Sequence, residues 1–329
     1  MWQRFVALTF VIVAGTAAAR HPLEDVSAAY ALLERILPGS SSHFTLATAD
    51  GNCGTLQPPC FSMSDAANGT VAITGSSVSE VTAATGVYLR EWCNMTIGWP
   101  RGGGSRLFTP ASWPAIGAAP VYQRRVVPYS YIENVCTHSY SLVWYDWPAW
   151  SAFIDWMALS GINLNLAMTG QEEVQYKVFS QFGLDDMTIR SWFNGPAFLT
   201  WSRGQNEYGN NICGPLPRSW MTTQWDLQRQ ILNRTRSLGI TGQLPGFQGN
   251  IPWPLAGLHN DTNVTQQGAT GWMYSTDPLF GSIADVWMQT LIGDFGTDHW
   301  YQMDGYFDGG TVSCFVCVAC CCFLCCFSL

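Results

Sequence analysis

The sequence contains few charged residues and no long run of either charge. Charged side chains make up 12% of the 329 residues, the formal net charge is −8, and no basic block occurs. Without a concentrated positive surface, the chain lacks the electrostatic footprint of a nucleic-acid-binding protein. We therefore expect no nucleic-acid partner. The length is sufficient for a sizeable core in about two domains.

Metal-binding signatures are also missing. No HExxH motif occurs and the cysteine spacings do not match a zinc site, so we expect no metal. One group of cysteines is scattered through the chain, at Cys53, Cys60, Cys93, Cys136 and Cys213. The others crowd into the apolar segment 314–326. Cys53 and Cys60 are close enough in sequence to close a small disulfide-bonded loop.

The N-terminus has the pattern of an export signal. Arg4 precedes a short apolar run at 5–13 and small residues at 17–19, which is typical of a signal peptide over residues 1–19. A buried first helix is the alternative. N-x-[ST] sequons occur at Asn68, Asn94, Asn233, Asn260 and Asn263. We expect a mature chain that begins near Arg20 and follows the secretory route to a lysosome, a vacuole or the exterior.

Tryptophan is abundant, with 16 in the chain. A large aromatic core would account for them. A second interpretation is a pocket for a ligand with flat apolar faces, such as a pyranose ring.

The first part of the chain is typical of a small α/β domain, which we place at residues 20–117. Residues 23–37 predict an amphipathic helix, and residues 70–74 predict a β-branched strand. Gly75-Ser76-Ser77 then leads into a helix that runs to about Trp92. The stretch 100–120 is rich in glycine and proline and reads as a loop or linker.

From Val126 onward strands and helices alternate. The predicted strands are 126–136, 162–168, 242–247 and 299–306, and the predicted helices are 147–161, 173–183, 219–239 and 277–296. Long crossovers between strands indicate a parallel β/α architecture. Four such units amount to the first half of a (β/α)8 TIM barrel, which we place at residues 118–311.

Polar segments follow each predicted strand of this barrel, at 134–140, 169–172, 248–250 and 304–308. The carboxyl ends of the strands carry the chemistry in this fold. These segments therefore predict a site, although they could also be polar loop caps.

Several long motifs resemble one enzyme family. They are NVCTHSYSLVWYDW at 134–147, IDWMALSGINLNLAMTGQE at 154–172, FNGPAFLTW at 193–201, GPLPRSW at 214–220 and FGTDHWY at 295–301. Together they resemble α-N-acetylglucosaminidase, glycoside hydrolase family 89. The resemblance covers about residues 23–311 and is looser in the small N-terminal domain.

The resemblance implies a glycosidase that removes terminal α-linked N-acetylglucosamine from glycans such as heparan sulfate. It implies a retaining mechanism, in which one carboxyl protonates the leaving oxygen and another attacks the anomeric carbon. No metal or organic cofactor is implied. The expected partner is a glycan with terminal N-acetylglucosamine, and a membrane is not an expected partner. The oligomeric state stays open.

The resemblance also implies substrate-binding residues. Asn134, Cys136 and Trp201 match positions of the sugar pocket, where an amide can bond to hydroxyls and an indole can cover an apolar sugar face. Cys136 could instead be a small core residue. Glu172 is placed to bind a hydroxyl, and a salt bridge with an arginine is its alternative.

The segment that follows the fourth strand departs from the family. The family reads DTFNE there, with the glutamate as acid/base, whereas this chain reads Asp304-Gly305-Tyr306-Phe307-Asp308. Asp308 therefore stands at the catalytic acid/base position, one methylene shorter, or is only a loop residue. A misplacement of about an ångström can cost on the order of a hundredfold in rate. The resemblance places the nucleophile in a later part of the barrel, outside this chain.

Residues 312–329 form an apolar, cysteine-rich tail. Val312-Ser313 can be encoded as GTGAGT, a common splice-donor sequence, so we interpret the tail as a gene-model artefact and the chain as an inactive fragment of the enzyme. A membrane anchor is the alternative for the tail. A secreted carbohydrate-binding fragment without turnover is the alternative function.

Overall fold

The computed structural model describes residues 25–99, 103–198, 214–259, 261–267 and 270–303. The predicted signal peptide at 1–19 and the tail at 312–329 lie outside the described residues.

The N-terminal part is a four-stranded sheet with two helices. Its strands are β1 (Phe44–Thr48), β2 (Cys60–Asp65), β3 (Val71–Gly75) and β4 (Val121–Arg124), and its helices are α1 (Ser27–Ile36) and α2 (Val78–Glu91). The strand order is β1-β3-β2-β4, with β1 parallel to β3 and the other pairs antiparallel. The predicted helices and the predicted strand at 70–74 are confirmed. The domain boundary near Gly117 remains a prediction.

Local chemistry explains how α2 begins. Ser77 is in extended backbone, and its side chain accepts a hydrogen bond from the Glu80 amide at 3.3 Å. A serine in this position satisfies one of the amide donors that a helix leaves open at its start. The predicted loop disulfide is confirmed, because Cys53 and Cys60 are bonded.

The second part contains two further sheets. The strands are β5 (Tyr131–Ile132), β6 (Leu164–Leu166), β7 (Thr241–Pro245), β8 (Asn250–Pro252), β9 (Val264–Gln267), β10 (Thr270–Met273) and β11 (Trp300–Gln302). One sheet has the order β11-β7-β6-β5, and all its pairs are parallel. The other is antiparallel, with the order β8-β10-β9. The antiparallel sheet was not expected.

Helices connect the parallel strands. They are α3 (Val135–Tyr140), α4 (Trp147–Leu159), α5 (Gln171–Gln181), α6 (Asp186–Trp192), α7 (Arg218–Ser237), α8 (Trp253–Leu258) and α9 (Pro278–Phe295). Alternating parallel strands and helices confirm the predicted fold class, a small α/β domain followed by the first half of a (β/α)8 barrel. The predicted helices at 147–161, 173–183, 219–239 and 277–296 are present with slightly shifted ends. Helices α3, α6 and α8 were not expected.

The prediction of a strand over 126–136 is wrong for most of that range. Only Tyr131 and Ile132 form β5, and a helix begins at Val135. Glu133 has a φ of 75°, which ends the strand, and Asn134 then caps the helix. The β-branched residues of the segment favoured a strand, but the capping chemistry of Asn134 with Thr137 overrides that preference.

The two parts share one core. A single cluster of buried apolar residues includes Leu33 of α1, Ile73 of β3, Phe153 of α4 and Ile231 of α7. A second cluster lies between the parallel sheet and helices α5 and α9, around Val174 and other apolar side chains. The N-terminal domain therefore packs on the helical outer layer of the half-barrel.

None of the helices in the described part of the chain combines the length and the apolarity needed to cross a membrane.

Candidate functional site

Parallel strands β5, β6, β7 and β11 bring the segments that follow them to one edge of the sheet. The residues at this edge are those of α3 after β5, of the turn before α5 after β6, and of β8 after β7. In a (β/α)8 barrel this edge forms the site.

Asn134 lies directly after β5 and caps α3. Its Oδ1 accepts hydrogen bonds from the Thr137 amide at 3.0 Å and from Thr137 Oγ1 at 2.8 Å. The Thr137 hydroxyl lies 3.5 Å from the Asn134 amide, which completes a capping box. The side chain is exposed, and its NH2 group remains free to donate to a ligand.

Cys136 lies two residues further on, in the first turn of α3. It is half-buried and not disulfide-bonded, in contrast to the fully buried free Cys93. The structure thus places Asn134 and Cys136 together at the start of one short helix, at the carboxyl end of β5. Their joint contact with a sugar stays a prediction.

The turn after β6 carries buried polar side chains. Gly170 has a φ of 77°, and a Cβ there would meet the Trp225 Cα at 2.8 Å, so the turn requires glycine. Gln171 and Glu172 follow and are fully buried. The next residue, Glu173, pairs with Arg218 at 2.7 Å.

Two buried amides at this edge have unused hydrogen-bonding capacity. The side-chain oxygen and nitrogen of Gln171 and of Asn250 have no hydrogen-bond partner within the described part of the protein. Both residues are almost completely buried. Because buried polar groups are nearly always paired with protein, water or ligand, these amides suit hydroxyl-rich ligands or ordered water.

A buried polar cluster behind α3 was not predicted. It consists of Glu133, His138 and Asn165. The side chains of Glu133 and His138 are 0% and 1% exposed, and His138 Nε2 lies 3.4 Å from Glu133 Oε2. Burial raises the pKa of Glu133, and the nearby His138 and Asn165 side chains offset that rise only in part. Neither carboxylate oxygen of Glu133 has a partner at hydrogen-bonding geometry among the described residues, so the contact with His138 is a close polar approach. The one signal of this cluster in the sequence is Asn165, a polar residue between the apolar Leu164 and Leu166 of β6.

Two predicted site residues lie outside the described residues. They are Trp201, predicted to cover a sugar face, and Asp308, predicted at the acid/base position. Within the described ranges, no group of three or more His, Cys, Asp or Glu side chains is arranged to hold a metal ion.

A parallel half-barrel with polar side chains at its carboxyl edge defines the class of (β/α)8-barrel enzymes. The comparisons with known proteins are specific. The profile of the alpha-N-acetylglucosaminidase (NAGLU) tim-barrel domain matches residues 130–314. The profile of the N-terminal domain of the same family matches residues 27–115. The chain belongs to the α-N-acetylglucosaminidase family.

Individual relatives agree with this assignment. The chain is 36% identical over 314 residues to human alpha-N-acetylglucosaminidase, covering 91% of this chain and 41% of the human protein. The family 89 glycoside hydrolase of Clostridium perfringens, in complex with 2-acetamido-1,2-dideoxynojirmycin, has a TM-score of 0.75 and 26% identity, over 83% of this chain and 32% of that chain. A variant of that enzyme was solved with its substrate GlcNAc-α-1,4-galactose and has a TM-score of 0.76, 26% identity and coverage of 83% and 31%. The chain thus spans about two fifths of its human relative.

Proposed function

We propose that this protein is a glycoside hydrolase that acts on glycans with terminal α-linked N-acetylglucosamine. The observation that carries the proposal is the family match over residues 130–314, which includes the polar edge of the half-barrel. The C. perfringens relative binds GlcNAc-α-1,4-galactose as its substrate. Asn134, with its free NH2 group, supplies a donor of the kind that a sugar hydroxyl or acetamido oxygen accepts.

The proposed chemistry is a retaining displacement. In such a mechanism one carboxyl group protonates the glycosidic oxygen, while a second carboxylate about 5 Å away attacks the anomeric carbon. Asp308 is the proposed acid/base residue. Glu172, Cys136 and Trp201 are proposed to contact the sugar with Asn134. None of these assignments requires a metal or an organic cofactor.

Parallel assays of the purified full chain test the proposal. Hydrolysis of an aryl α-N-acetylglucosaminide is measured together with calorimetric binding of 2-acetamido-1,2-dideoxynojirimycin. An aryl α-glucoside, which lacks the acetamido group, and the β-linked N-acetylglucosaminide are the controls. Hydrolysis of the α-linked acetamido substrate alone would support the enzyme and would contradict the interpretation of the given sequence as an inactive fragment. Absence of both hydrolysis and binding would overturn the proposal.

A second candidate is a carbohydrate-binding protein without turnover. It is favoured by the two buried amides of Gln171 and Asn250, whose unused hydrogen-bonding capacity suits a hydroxyl-rich ligand. Selective binding of the iminosugar without hydrolysis would support this candidate against the first. In the enzyme, Asp308→Asn should abolish turnover and leave binding unchanged.

We also propose that the protein follows the secretory route. The cysteines at 53 and 60 form a disulfide, a bond that persists in oxidising compartments. The sequon asparagines that the structure describes, Asn68, Asn94, Asn233 and Asn263, are exposed. N-terminal sequencing of the expressed protein and a gel shift on deglycosylation test this. An intact Met1 without a shift would contradict it.

A further inference from the structure

The backbone at Glu133 is unusual. Glu133 has a φ of 75°, in the left-handed region that favours glycine. Apart from Glu133, Asn94 is the only residue other than glycine with a positive φ in the described part of the chain. Asn tolerates this conformation far better than Glu does. A strained residue of this kind persists only where its surroundings require it, and such residues concentrate at functional sites.

The strain redirects the Glu133 side chain. Successive residues of a strand point to opposite faces, and Ile132 packs against the shared apolar core. Ile132 pairs in register with Asn165, which places Asn165 on the same face. Regular alternation would send residue 133 to the other face. The left-handed turn instead brings its carboxyl beside Asn165 and His138, where it is completely buried.

The contact between Glu133 and His138 joins the two ends of the short helix α3. Glu133 immediately precedes the N-cap Asn134, and His138 lies in the last turn of α3. The His138 ring lies 6.1 Å from the ring of Trp150, which belongs to α4 and is buried in the shared core. Glu133 at one end of the segment that carries Asn134 and Cys136 thus contacts His138 at the other end, and His138 packs near the buried core.

We propose that Glu133 and His138 are positioning residues that hold Asn134 and Cys136 in the orientation that contacts the sugar. This inference rests on the proposed function. Both side chains are almost completely buried, so the proposal assigns them no contact with the ligand. The exposed NH2 group of Asn134 and the half-buried thiol of Cys136 are the groups whose placement depends on it.

Cys136 provides a readout that is independent of sugar binding. The full chain is treated with iodoacetamide, and the alkylation rate of the peptide containing Cys136 is measured by mass spectrometry. Glu133→Gly relieves the backbone strain but removes the carboxyl, whereas Glu133→Gln keeps a hydrogen-bonding side chain of the same shape. We expect Glu133→Gly to accelerate alkylation by about tenfold, since loss of the buried polar contact with His138 raises the open fraction by roughly that factor. Glu133→Gln should stay within about twofold of the wild type.

Asn94→Gly is the matched control, because it relieves a positive φ of 51° in the N-terminal domain. It should leave the Cys136 rate unchanged. The affinity for 2-acetamido-1,2-dideoxynojirimycin is measured on the same variants, and Glu133→Gly should weaken it by about tenfold with recovery in Glu133→Gln. His138→Leu should behave as Glu133→Gly does.

The outcomes separate the two claims. If Glu133→Gly alkylates and binds like the wild type, the positioning role is wrong. If the wild type does not bind the iminosugar and Glu133→Gly still accelerates alkylation, the proposed function fails while the pair still orders the turn. Equal acceleration in Asn94→Gly would also overturn the inference, because the effect would then reflect global loosening.

Discussion

At the scale of single residues, Asn134 combines an observed structural role with a proposed binding role. Its oxygen is used by the capping box of α3, and its NH2 group faces outward without a protein partner among the described residues. The two roles use different atoms of the same amide. Substitutions that remove one atom at a time can therefore separate them.

We predict that Asn134→Asp and Asn134→Ala differ in stability but agree in binding. Aspartate is as good an N-cap as asparagine, so its thermal stability should match that of the wild type, whereas alanine should cost about 1 kcal/mol. Both lack the NH2 donor and should bind the iminosugar about tenfold more weakly, as expected for one lost hydrogen bond. Denaturant unfolding measures the stability of each variant, and titration calorimetry measures its affinity for the iminosugar. Full binding by Asn134→Asp would show that the amide does not contact the ligand.

At the scale of secondary-structure elements, the packing of α2 against α4 joins the two domains. A Cβ at Gly86 of α2 would lie 1.8 Å from the Leu159 carbonyl oxygen of α4. Arg90 Nη1 donates to the same carbonyl at 2.9 Å. The helices can approach this closely only because position 86 has no side chain.

We predict that Gly86→Ala destabilises the protein by about 3 kcal/mol, because the helices must move apart and the shared core must repack. Gly293→Ala is the matched control. A Cβ at Gly293 in α9 would meet nothing within 4 Å, so alanine should stabilise by about 0.5 kcal/mol through its helix propensity. The free energy of unfolding is measured in urea for both. Equal effects of the two substitutions would contradict the close-packing argument.

At the scale of the whole molecule, Asp155 links three helices across the domain boundary. Its carboxylate accepts hydrogen bonds from Arg35 of α1 at 2.9 Å and from Arg234 of α7 at 2.5 Å. The Asp155 side chain is only 5% exposed. Removing one member of a buried ionic group is costly, because the remaining charges stay buried without an opposite charge beside them.

We therefore predict that Asp155→Ala lowers the free energy of unfolding by about 3 kcal/mol. Asp298→Ala removes an exposed pair with Arg236 and should change it by less than about 1 kcal/mol. Urea denaturation measures the free energy of unfolding of both variants. Small-angle X-ray scattering along the same titration shows whether the two domains separate. An Asp155→Ala protein as stable as Asp298→Ala would show that the domains are held by apolar packing alone.

The pH dependence of stability is also a property of the whole molecule. Burial raises the pKa of Glu133 and raises the pKa of Asp155 to about 6, the latter partly offset by Arg35. A raised folded-state pKa means that the folded protein holds a proton that the unfolded chain has released. Stability from these groups is thus present below the ordinary carboxyl pKa and is lost as the pH rises through the folded-state values. The lowered pKa of Asp298, caused by Arg236, acts in the opposite sense but below this range.

We predict that the melting temperature rises as the pH falls from about 7 to about 5, a range typical of acidic compartments. The double variant Glu133→Gln, Asp155→Asn mimics the protonated carboxyls, so its melting temperature should depend less on pH in this range. Calorimetric scans at fixed ionic strength test both statements. A wild-type melting temperature that falls over this range would be inconsistent with neutral buried carboxyls.

Local signals in the sequence were enough to predict much of the fold. Apolar spacing and capping residues indicated α1, α2, α4, α5, α7 and α9, and the alternation of strands and helices indicated a half-barrel. Those signals are local: an N-cap such as Asp277 or a helix-ending glycine such as Gly161 acts within one turn of the chain. The family motifs indicated Asn134 and Cys136, which the structure places together at the start of α3.

Only the tertiary structure decided the features that depend on partners distant in sequence. Strands β1, β2 and β4 and the antiparallel sheet are short and have weak patterns, because pairing rather than propensity stabilises them. The strand expected over 126–136 shrank to two residues because Glu133 turns away to reach Asn165 and His138. That cluster joins the residue that follows β5, one residue of β6 and one residue of α3. A buried carboxyl is tolerable only where such neighbours converge, and the sequence does not specify that convergence locally.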